Sequence, residues 1–265
     1  MNPNLIFLGT GTSQGIPIIG CKCNVCRSSH LKDKRLRTSA YVEYMGLRLL
    51  IDAGPDFRQQ LLRANINNVD AILLTHEHKD HTAGLDDVRA FNYINKKAMD
   101  IYAEERVQHA VKQEFSYAFE EHKYPGAPEF SLHTIDEHTF HIGPVCIKPI
   151  RVWHAHLPIL GFRIADLAYI TDASNLADSE LPKLKNLSVL VLNAVRPKPH
   201  ASHFSLQQAI DMAKKIGAQQ TYLTHISHQM GLHDDVEKEL PSGIMLAYDG
   251  LTIEPDTLPV VQGLP

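Results

Sequence analysis

Short apolar runs recur along the chain and alternate with amphipathic stretches. Eight runs have the length and composition of strands: residues 5–8, 40–44, 47–51, 71–74, 145–150, 167–170, 189–192 and 220–223. Four stretches have the spacing of helices with one apolar face: residues 56–64, 103–119, 206–216 and 234–240. Ser205, with Gln208 three residues later, has the pattern of a capping box and predicts the start of the third helix.

The order of these elements predicts an α/β (or α+β) fold. Two adjacent strands joined at Met45-Gly46 come early, and the later strands mostly follow helices. That mixture predicts a mixed sheet, or two sheets face to face, covered by helices. No repeat or linker interrupts the chain, so we expect a single domain over residues 1–265. Residues 82–130, rich in charge and helix formers, predict a helical cap over one edge.

Composition narrows the class of protein. The chain has 265 residues, 44% of them apolar, and a formal charge of -4, which argues against a general nucleic-acid surface. No apolar run reaches the roughly 18 residues of a membrane span, and the first residues lack the pattern of a secretion signal. We therefore expect a cytoplasmic protein without a membrane partner. Sixteen histidines against four cysteines is the unusual ratio, and it directs attention to metal chemistry.

The strongest chemical signal is Thr75-His76-Glu77-His78-Lys79-Asp80-His81, directly after the run 71–74. It places four metal-binding side chains within six residues, where a strand is predicted to end. His76 and His78 lie two residues apart, so in an extended or tightly turned segment both can face one cation. Asp80 and His81 can turn toward a second cation. A polar surface loop is the alternative, but such a loop rarely follows so apolar a strand.

Further candidate ligands follow other apolar runs. His154 follows the run that begins at 145, Asp172 ends the run around 167–171, and His225 ends the run 220–224. Groups at the carboxyl ends of strands converge on one edge in layered α/β folds. Each residue alone could equally be a cap or a satisfied buried polar group. Their shared position at strand ends favours a role beside the first motif.

A second cluster is Cys21-Lys22-Cys23-Asn24-Val25-Cys26. Three thiols leave an odd partner if they form disulfides, and cytosolic chains rarely keep disulfides. Thiolates this close suit a tetrahedral zinc ion, which needs a fourth sulfur or nitrogen ligand. Cys146 lies in a predicted strand and is expected to be buried, so His228 is the better candidate. A redox-active or metal-free cluster is the alternative that the residues leave open.

Taken together, these residues resemble the metallo-β-lactamase-fold hydrolases. The segment 76–81 corresponds to the HxHxDH motif of that family, and the resemblance runs from about residue 5 to residue 253. It implies a four-layer αββα sandwich with a dinuclear metal centre, in which Asp52 orients a ligating imidazole. The implied ligands are His76, His78 and His154 for one metal, Asp80, His81 and His225 for the other, and Asp172 as a bridge between them.

The cysteine cluster and Thr224-His225-Ile226-Ser227-His228-Gln229 resemble one branch of that family. The branch contains the phosphoribosyl cyclic phosphodiesterase of the carbon–phosphorus lyase pathway. The resemblance implies a structural zinc site, a zinc-binding knob around residues 21–26, formed by Cys21, Cys23, Cys26 and His228. It also implies that His203 reaches the active site without binding metal and acts in turnover, with Asp80 as the other catalytic residue.

The expected activity is metal-dependent hydrolysis of a small phosphodiester. A cyclic ribose phosphate of the 5-phosphoribosyl 1,2-cyclic phosphate type is the expected substrate and partner, attacked by a hydroxide that two cations activate. The first metal site, with three imidazoles, suits zinc, whereas the second, with two carboxylates, lets Mn²⁺ compete. The sequence leaves a homodimer open.

Relatives with the same metal motif are the alternatives. A transfer-RNA 3′-processing endonuclease would carry a long RNA-gripping arm, and no Gly/Lys-rich insertion is visible; with the charge of -4, a nucleic-acid partner is not expected. A thioester hydrolase is a further alternative, but the cysteine cluster is foreign to its pattern. A non-enzymatic metal-binding module is least favoured, because every position of the dinuclear centre can be filled.

Overall fold

The computed structural model describes residues 2–254, and two β-sheets packed face to face form its centre. The strands of the first sheet are β1 (Asn4–Gly9), β2 (Ser39–Tyr44), β3 (Leu47–Ile51), β4 (Ala71–Leu73), β5 (Met99–Ala103), β6 (Phe130–Thr134) and β15 (Thr252–Ile253). Their order across the sheet is β15-β1-β2-β3-β4-β5-β6. Strands β3 to β6 are parallel, and β15, β1, β2 and β3 pair antiparallel.

The second sheet repeats this division into an antiparallel and a parallel half. Its strands are β7 (Phe140–Ile142), β8 (Val145–His154), β9 (Leu157–Ile164), β10 (Leu167–Ile170), β11 (Asn175–Leu176), β12 (Val189–Asn193), β13 (Gln220–Thr224) and β14 (Ile244–Leu246). The order is β11-β8-β9-β10-β12-β13-β14, with β7 also paired to β8. Strands β10, β12, β13 and β14 are parallel, so their carboxyl ends lie at one edge.

Helices cover the outer faces of both sheets. The α-helices are α1 (Asn24–Arg27), α2 (Phe57–Arg63), α3 (Lys79–Thr82), α4 (Arg89–Asn95), α5 (Glu105–Glu114), α6 (Leu206–Ile216) and α7 (His233–Glu237). Short 3-10 helices lie at Leu31–Asp33, Leu85–Val88, Ser116–Ala118 and Asp178–Leu184. The predicted capping box at Ser205 and Gln208 is present at the start of α6.

Alternating side chains of the central strands build the layers. In β3, Leu49 and Ile51 point into the core between the sheets, whereas Leu50 packs beneath α2, α4 and α5. In β12, Val191 points into the same core, and Leu192 packs beneath α6. A strand buried on both faces has to be apolar throughout, which is why these runs stand out in the sequence. The predicted αββα sandwich is confirmed.

The eight predicted strands are confirmed, but others were missed. Strand β9 was missed because Pro158 and Gly161 interrupt its pattern. Strand β5 lies in the range 82–130, so that range supplies a strand of the first sheet, next to the edge strand β6, as well as helices. The predicted helix 103–119 was wrong at its start, because Ala103 ends β5. Cys146, expected to be buried, is only half-buried.

The described helices are all too short or too polar to cross a membrane.

Candidate metal centre

The histidine-rich motif lies where β4 ends. The chain leaves the strand after Leu73, and helix α3 begins at Lys79 with His78 as its N-cap residue. His76 is fully buried, and its Nε2 lies 3.0 Å from Nδ1 of His78. The single turn of α3 then directs Asp80 and His81 toward the same edge. The segment therefore has the extended-then-turned form that lets its four candidate ligands converge.

Asp52 supports this motif from the neighbouring strand. It follows β3 and is fully buried, and its carboxylate accepts hydrogen bonds from the backbone and hydroxyl of Thr75. Nδ1 of His81 lies 2.7 Å from Asp52 Oδ2. A carboxylate at this distance holds a proton on Nδ1, so Nε2 is the nitrogen of His81 that would bind a metal. The geometry agrees with the orienting role expected of Asp52.

Asp172 and His225 come from the second sheet. Asp172 follows β10 after Thr171, and His225 follows β13 directly. Asp172 Oδ2 lies 3.3 Å from His81 Nε2, and its Oδ1 lies 3.2 Å from His225 Nε2. One carboxylate thus faces imidazoles from both sheets.

His154, the last residue of β8, completes the set. Its Nδ1 lies 2.9 Å from the carbonyl oxygen of Asp172 and 2.8 Å from that of Ser202. Carbonyl oxygens only accept hydrogen bonds, so Nδ1 carries the proton and Nε2 is free to bind a cation. The ring lies 5.1 Å from that of His78, centroid to centroid.

The donor set fits divalent cations. Donor atoms of Asp80, His81, Asp172 and His225 all lie within 4.8 Å of one another, and so do those of His154, Asp172 and His203. Within the described residues, the buried Nε2 of His81 has no hydrogen-bond partner. Two ligands of one tetrahedral zinc, each about 2.1 Å from it, lie roughly 3.4 Å apart. The observed nitrogen–oxygen distances of 3.2 and 3.3 Å match that spacing.

The charges of the buried side chains in the site also suit a cation. Burial opposes the ionisation of Asp172, but nearby His225 and His81 hold its pKa well below its usual range. Burial lowers the pKa of His76 and of His225, which favours the neutral imidazole that binds metals. Burial also opposes protonation of His81, but Asp172, Asp52 and Asp80 raise its pKa well above its usual value. The carboxylates of Asp52, Asp80 and Asp172 therefore make this site favourable for positive charge.

The cysteine cluster forms a separate site with His228. Nδ1 of His228 lies 3.4 Å from the sulfur of Cys21, 3.3 Å from that of Cys23 and 3.7 Å from that of Cys26. A tetrahedral zinc with sulfur at about 2.3 Å and nitrogen at about 2.0 Å requires roughly 3.6 Å between them. The backbone N–H of Cys26 donates to Cys23 and lowers the pKa of that thiol to about 6. The four side chains therefore fit a zinc ion.

The segment between His225 and His228 joins the two sites. The backbone N–H of Ile226 donates to the carbonyl of Thr10, and that of Thr12 donates to the carbonyl of Ile226. Ile226 is buried, so this short pairing fixes both histidines against the N-terminal loop.

His203 lies beside the cluster at the edge of a cavity of about 310 Å³. Its Nδ1 lies 3.7 Å from Asp172 Oδ1 and has no hydrogen-bond partner among the described residues. Burial, followed by the nearby His225, lowers its pKa to about 3. A larger cavity of about 840 Å³ lies between α2 and α4, but its lining is mostly apolar and includes none of the candidate ligands. Chemistry therefore favours the smaller cavity.

Several supporting residues were missed from the sequence. Thr75, Thr171 and Thr224 each precede a candidate ligand at a strand end, a repeated Thr-ligand pattern that the sequence does contain. Thr171 donates to the carboxylate of Asp172. Asn193 is buried and bonds both backbone groups of Ala173, which fixes the turn after Asp172.

Comparison with known proteins agrees with this geometry. Residues 47–226 match the family described as the beta-lactamase superfamily domain. The chain belongs to that superfamily, as a hydrolase with the metallo-β-lactamase fold. Members of this fold bind divalent metals, and the chain has the clusters to do so.

Within the superfamily, the chain falls in the branch called the PhnP family. A solved structure described as a new diphosphatase from the PhnP family is 40% identical, with a TM-score of 0.89 over 96% of this chain and 98% of that chain. An octanoyltransferase from Porphyromonas gingivalis is 42% identical over 93% of this chain, but the chain spans only 50% of that relative. A ribonuclease Z from Pyrobaculum neutrophilum is 25% identical over 84% of this chain and 86% of that protein.

Proposed function

We propose that the chain hydrolyses a small phosphodiester at the edge where the two sheets meet. The observation that carries the proposal is the carboxylate of Asp172, whose donor atoms belong to two groups of possible metal ligands: one with Asp80, His81 and His225, and one with His154 and His203. Such an arrangement suits two adjacent cations next to a polar cavity. When bound, a pair of divalent cations lowers the pKa of water and stabilises negative charge on phosphoryl oxygens.

The ligand assignment that we propose uses both sheets. His76, His78 and His154 would hold one cation, Asp80, His81 and His225 the other, and Asp172 would contact both. Asp52 keeps His81 in the tautomer and orientation that this requires. The imidazole-rich half favours Zn²⁺ and the half with two carboxylates accepts Mn²⁺.

His203 is the residue that we assign to turnover. It lines the cavity and stands close enough to Asp172 to reach a phosphoryl group held beside that carboxylate. In the proposed hydrolysis, the oxygen of water bonds to phosphorus and the water gives up one proton. The bond from phosphorus to the leaving oxygen breaks, and the leaving oxygen takes up one proton. His203 would donate a hydrogen bond to the charge that develops on those oxygens.

The description of a relative supports the substrate class that we propose. The 40% identical structure is described as a diphosphatase, which acts on a phosphoryl group. We propose a cyclic ribose phosphate of the 5-phosphoribosyl 1,2-cyclic phosphate type. Two other relatives define the competing substrates. The relative named octanoyltransferase, of which the chain matches half, suggests a thioester, and the relative named ribonuclease Z suggests an RNA.

The test compares three substrates with the protein loaded with Mn²⁺ or Zn²⁺: the cyclic ribose phosphate, a linear dinucleotide and a thioester. We expect the highest kcat/KM on the cyclic phosphate. His203→Gln should lower kcat by about 10²- to 10⁴-fold and leave the metal content unchanged. Asp172→Asn should lower both kcat and the metal content. Preference for the thioester would overturn the proposed chemistry, and loss of metal in His203→Gln would make His203 a ligand instead.

We also propose that Cys21, Cys23, Cys26 and His228 hold a structural zinc ion. The support is the sulfur–nitrogen spacing around His228. The site lies away from the cavity lining except for His228 itself, so its metal would stabilise the loop rather than take part in hydrolysis.

A further inference from the structure

The cavity beside His203 has an unusual charge distribution. Its lining includes three hydroxyl and two amide side chains, several imidazoles and the guanidinium of Arg196. None of the described residues that line it is acidic. Its volume of about 310 Å³ is at the lower end of the range for small-ligand pockets. A polar, carboxylate-free cavity beside a cation site favours an anionic ligand.

Neutral hydrogen-bond acceptors fix the orientation of the Arg196 guanidinium in this cavity. Its Nη1 donates to Gln229 Oε1 over 2.9 Å, its Nη2 to the carbonyl of Pro199 over 2.9 Å, and its Nε to the carbonyl of Lys198 over 3.3 Å. No Asp or Glu within residues 2–254 lies within ion-pair distance of Arg196, whereas many arginines of the chain have such a partner. The guanidinium charge is therefore oriented but not neutralised.

The position of Arg196 in the fold also places it at the same sheet edge as the candidate metal ligands. It follows β12 after two buried residues, at the same carboxyl edge that delivers Asp172 and His225. Arg196, His200 and His203 line the same cavity, and the rings of the two histidines are 4.9 Å apart. A ligand whose scissile group lies at His203 therefore has room to extend through this cavity toward Arg196.

We propose that Arg196 binds a second anionic group of the substrate, a phosphate separate from the one that is hydrolysed. A guanidinium is suited to this because its planar donors match phosphate oxygens in pairs. Ser13 and Gln14, which line the same cavity, supply further donors for that phosphate. This inference rests on the proposed function and deepens it, because it names the residue that would bind the 5-phosphate of the proposed cyclic ribose phosphate. Arg196 is then a specificity-determining residue.

The test uses two diesters that share one scissile group: 5-phosphoribosyl 1,2-cyclic phosphate and ribose 1,2-cyclic phosphate, which lacks the 5-phosphate. For the wild-type protein, kcat/KM should favour the phosphorylated diester. In Arg196→Ala the ratio of the two kcat/KM values should fall about 10- to 100-fold, as expected when a charge-assisted contact is lost. Arg196→Lys should restore part of the ratio. Lys198→Ala, which removes an exposed charge outside the cavity lining, is the matched control and should keep the ratio.

A binding measurement separates this inference from the proposed activity. Ribose 5-phosphate has no scissile diester, and its affinity for the metal-loaded protein can be measured by calorimetry. We expect weaker binding to Arg196→Ala than to wild type or Lys198→Ala. An unchanged kcat/KM ratio, together with unchanged affinity for ribose 5-phosphate, would overturn the anion site. Absence of hydrolysis with either diester, while ribose 5-phosphate binding still depends on Arg196, would overturn the proposed function but keep the anion site.

Discussion

Asp52, Asp172 and His225 share a backbone conformation that side chains other than glycine rarely adopt. Their φ angles are 63°, 59° and 56°, all in the left-handed region. Each such residue costs on the order of 1 kcal/mol, and the surrounding strands hold it in place. The turn at each strand end points the side chain back across the sheet edge. At these three positions the strain thus falls on two residues that we assign to the metals, Asp172 and His225, and on Asp52, which orients His81.

A buried histidine away from the metal centre links stability to pH. His233 is 2% exposed, and the buried guanidinium of Arg35 donates to its Nδ1 over 3.1 Å. Burial, then Arg35 and Lys32, lower its pKa to about 4, although Asp234 and Asp33 act in the opposite direction. In the unfolded chain its pKa is about 6.5. Because the unfolded state binds more protons between these values, this contribution is complete above pH 6.5 and is lost toward pH 4.

His233→Asn should remove that pH dependence. An unfolded pKa of about 6.5 and a folded pKa of about 4 correspond to about 2 kcal/mol lost between pH 7 and pH 5. Urea unfolding of both proteins at the two pH values measures the difference. The metal ligands titrate equally in both proteins, so they cancel in the comparison. If wild type and variant lose the same free energy on acidification, His233 is not the acid-sensitive group.

At the scale of elements, two glycines allow the loop after β3 to pack directly on α3. A Cβ at Gly54 would lie 2.0 Å from the carbonyl oxygen of Asp80, and a Cβ at Gly84 would lie 2.0 Å from that of Gly54. The backbone N–H of Ala53 donates to the carbonyl of His81 over 2.8 Å. The position of α3, and with it two candidate ligands, therefore depends on backbone-to-backbone contact.

Gly54→Ala should displace α3 and weaken metal binding. We expect at least about a tenfold loss of affinity, the effect typical of removing support from a ligand. Titration with Zn²⁺ or Mn²⁺ measures it. Gly217→Ala is the control: Gly217 caps α6 with a φ of 71° and has open space around it, so this change costs about 1 kcal/mol of stability without touching the site. Equal metal affinity in both variants would contradict the role of the glycine contact.

The helices and strands also show which features of the fold and of the candidate site could be predicted from the sequence. Ligands at strand ends were predictable because a polar residue after a doubly buried strand breaks a clear pattern, as at Leu73 and His76. Strand β9 could not be recognised from the sequence because Gly161, a residue that is rare in strands, is required there by packing in the folded protein. A Cβ at this position would lie 2.8 Å from the carbonyl oxygen of Tyr169. The charge environment of Arg196 was equally hidden, because it depends on which residues the fold leaves out of the cavity.

At the scale of the whole molecule, the candidate metal centre takes its residues from both sheets. The first sheet contributes the motif after β4, and the second contributes His154, Asp172 and His225. Bound cations would therefore stabilise the packing of one sheet on the other. Ligand binding to the folded state alone adds roughly 2.7 kcal/mol at a concentration 100 times the Kd.

Removing the metals with a chelator should lower the thermal unfolding midpoint by several degrees, and adding Zn²⁺ or Mn²⁺ back should restore it. Differential scanning calorimetry measures the shift. In Asp172→Asn the shift should shrink, leaving only the contribution of the zinc at the cysteines. A midpoint that does not respond to chelation in the wild-type protein would contradict a metal link between the sheets.

The distance along the chain between the two halves of each site affects how the protein matures. The three cysteines come early, at residues 21–26, whereas His228 follows about 200 residues later. His225 is likewise 144 residues beyond His81. During synthesis on the ribosome, the three cysteines and the first histidines emerge long before their partners, and contacts between such distant residues form slowly. In the sites that we propose, complete metal binding would therefore be a late step, because the dinuclear site lacks a ligand until His225 has been made and the cysteine site lacks one until His228.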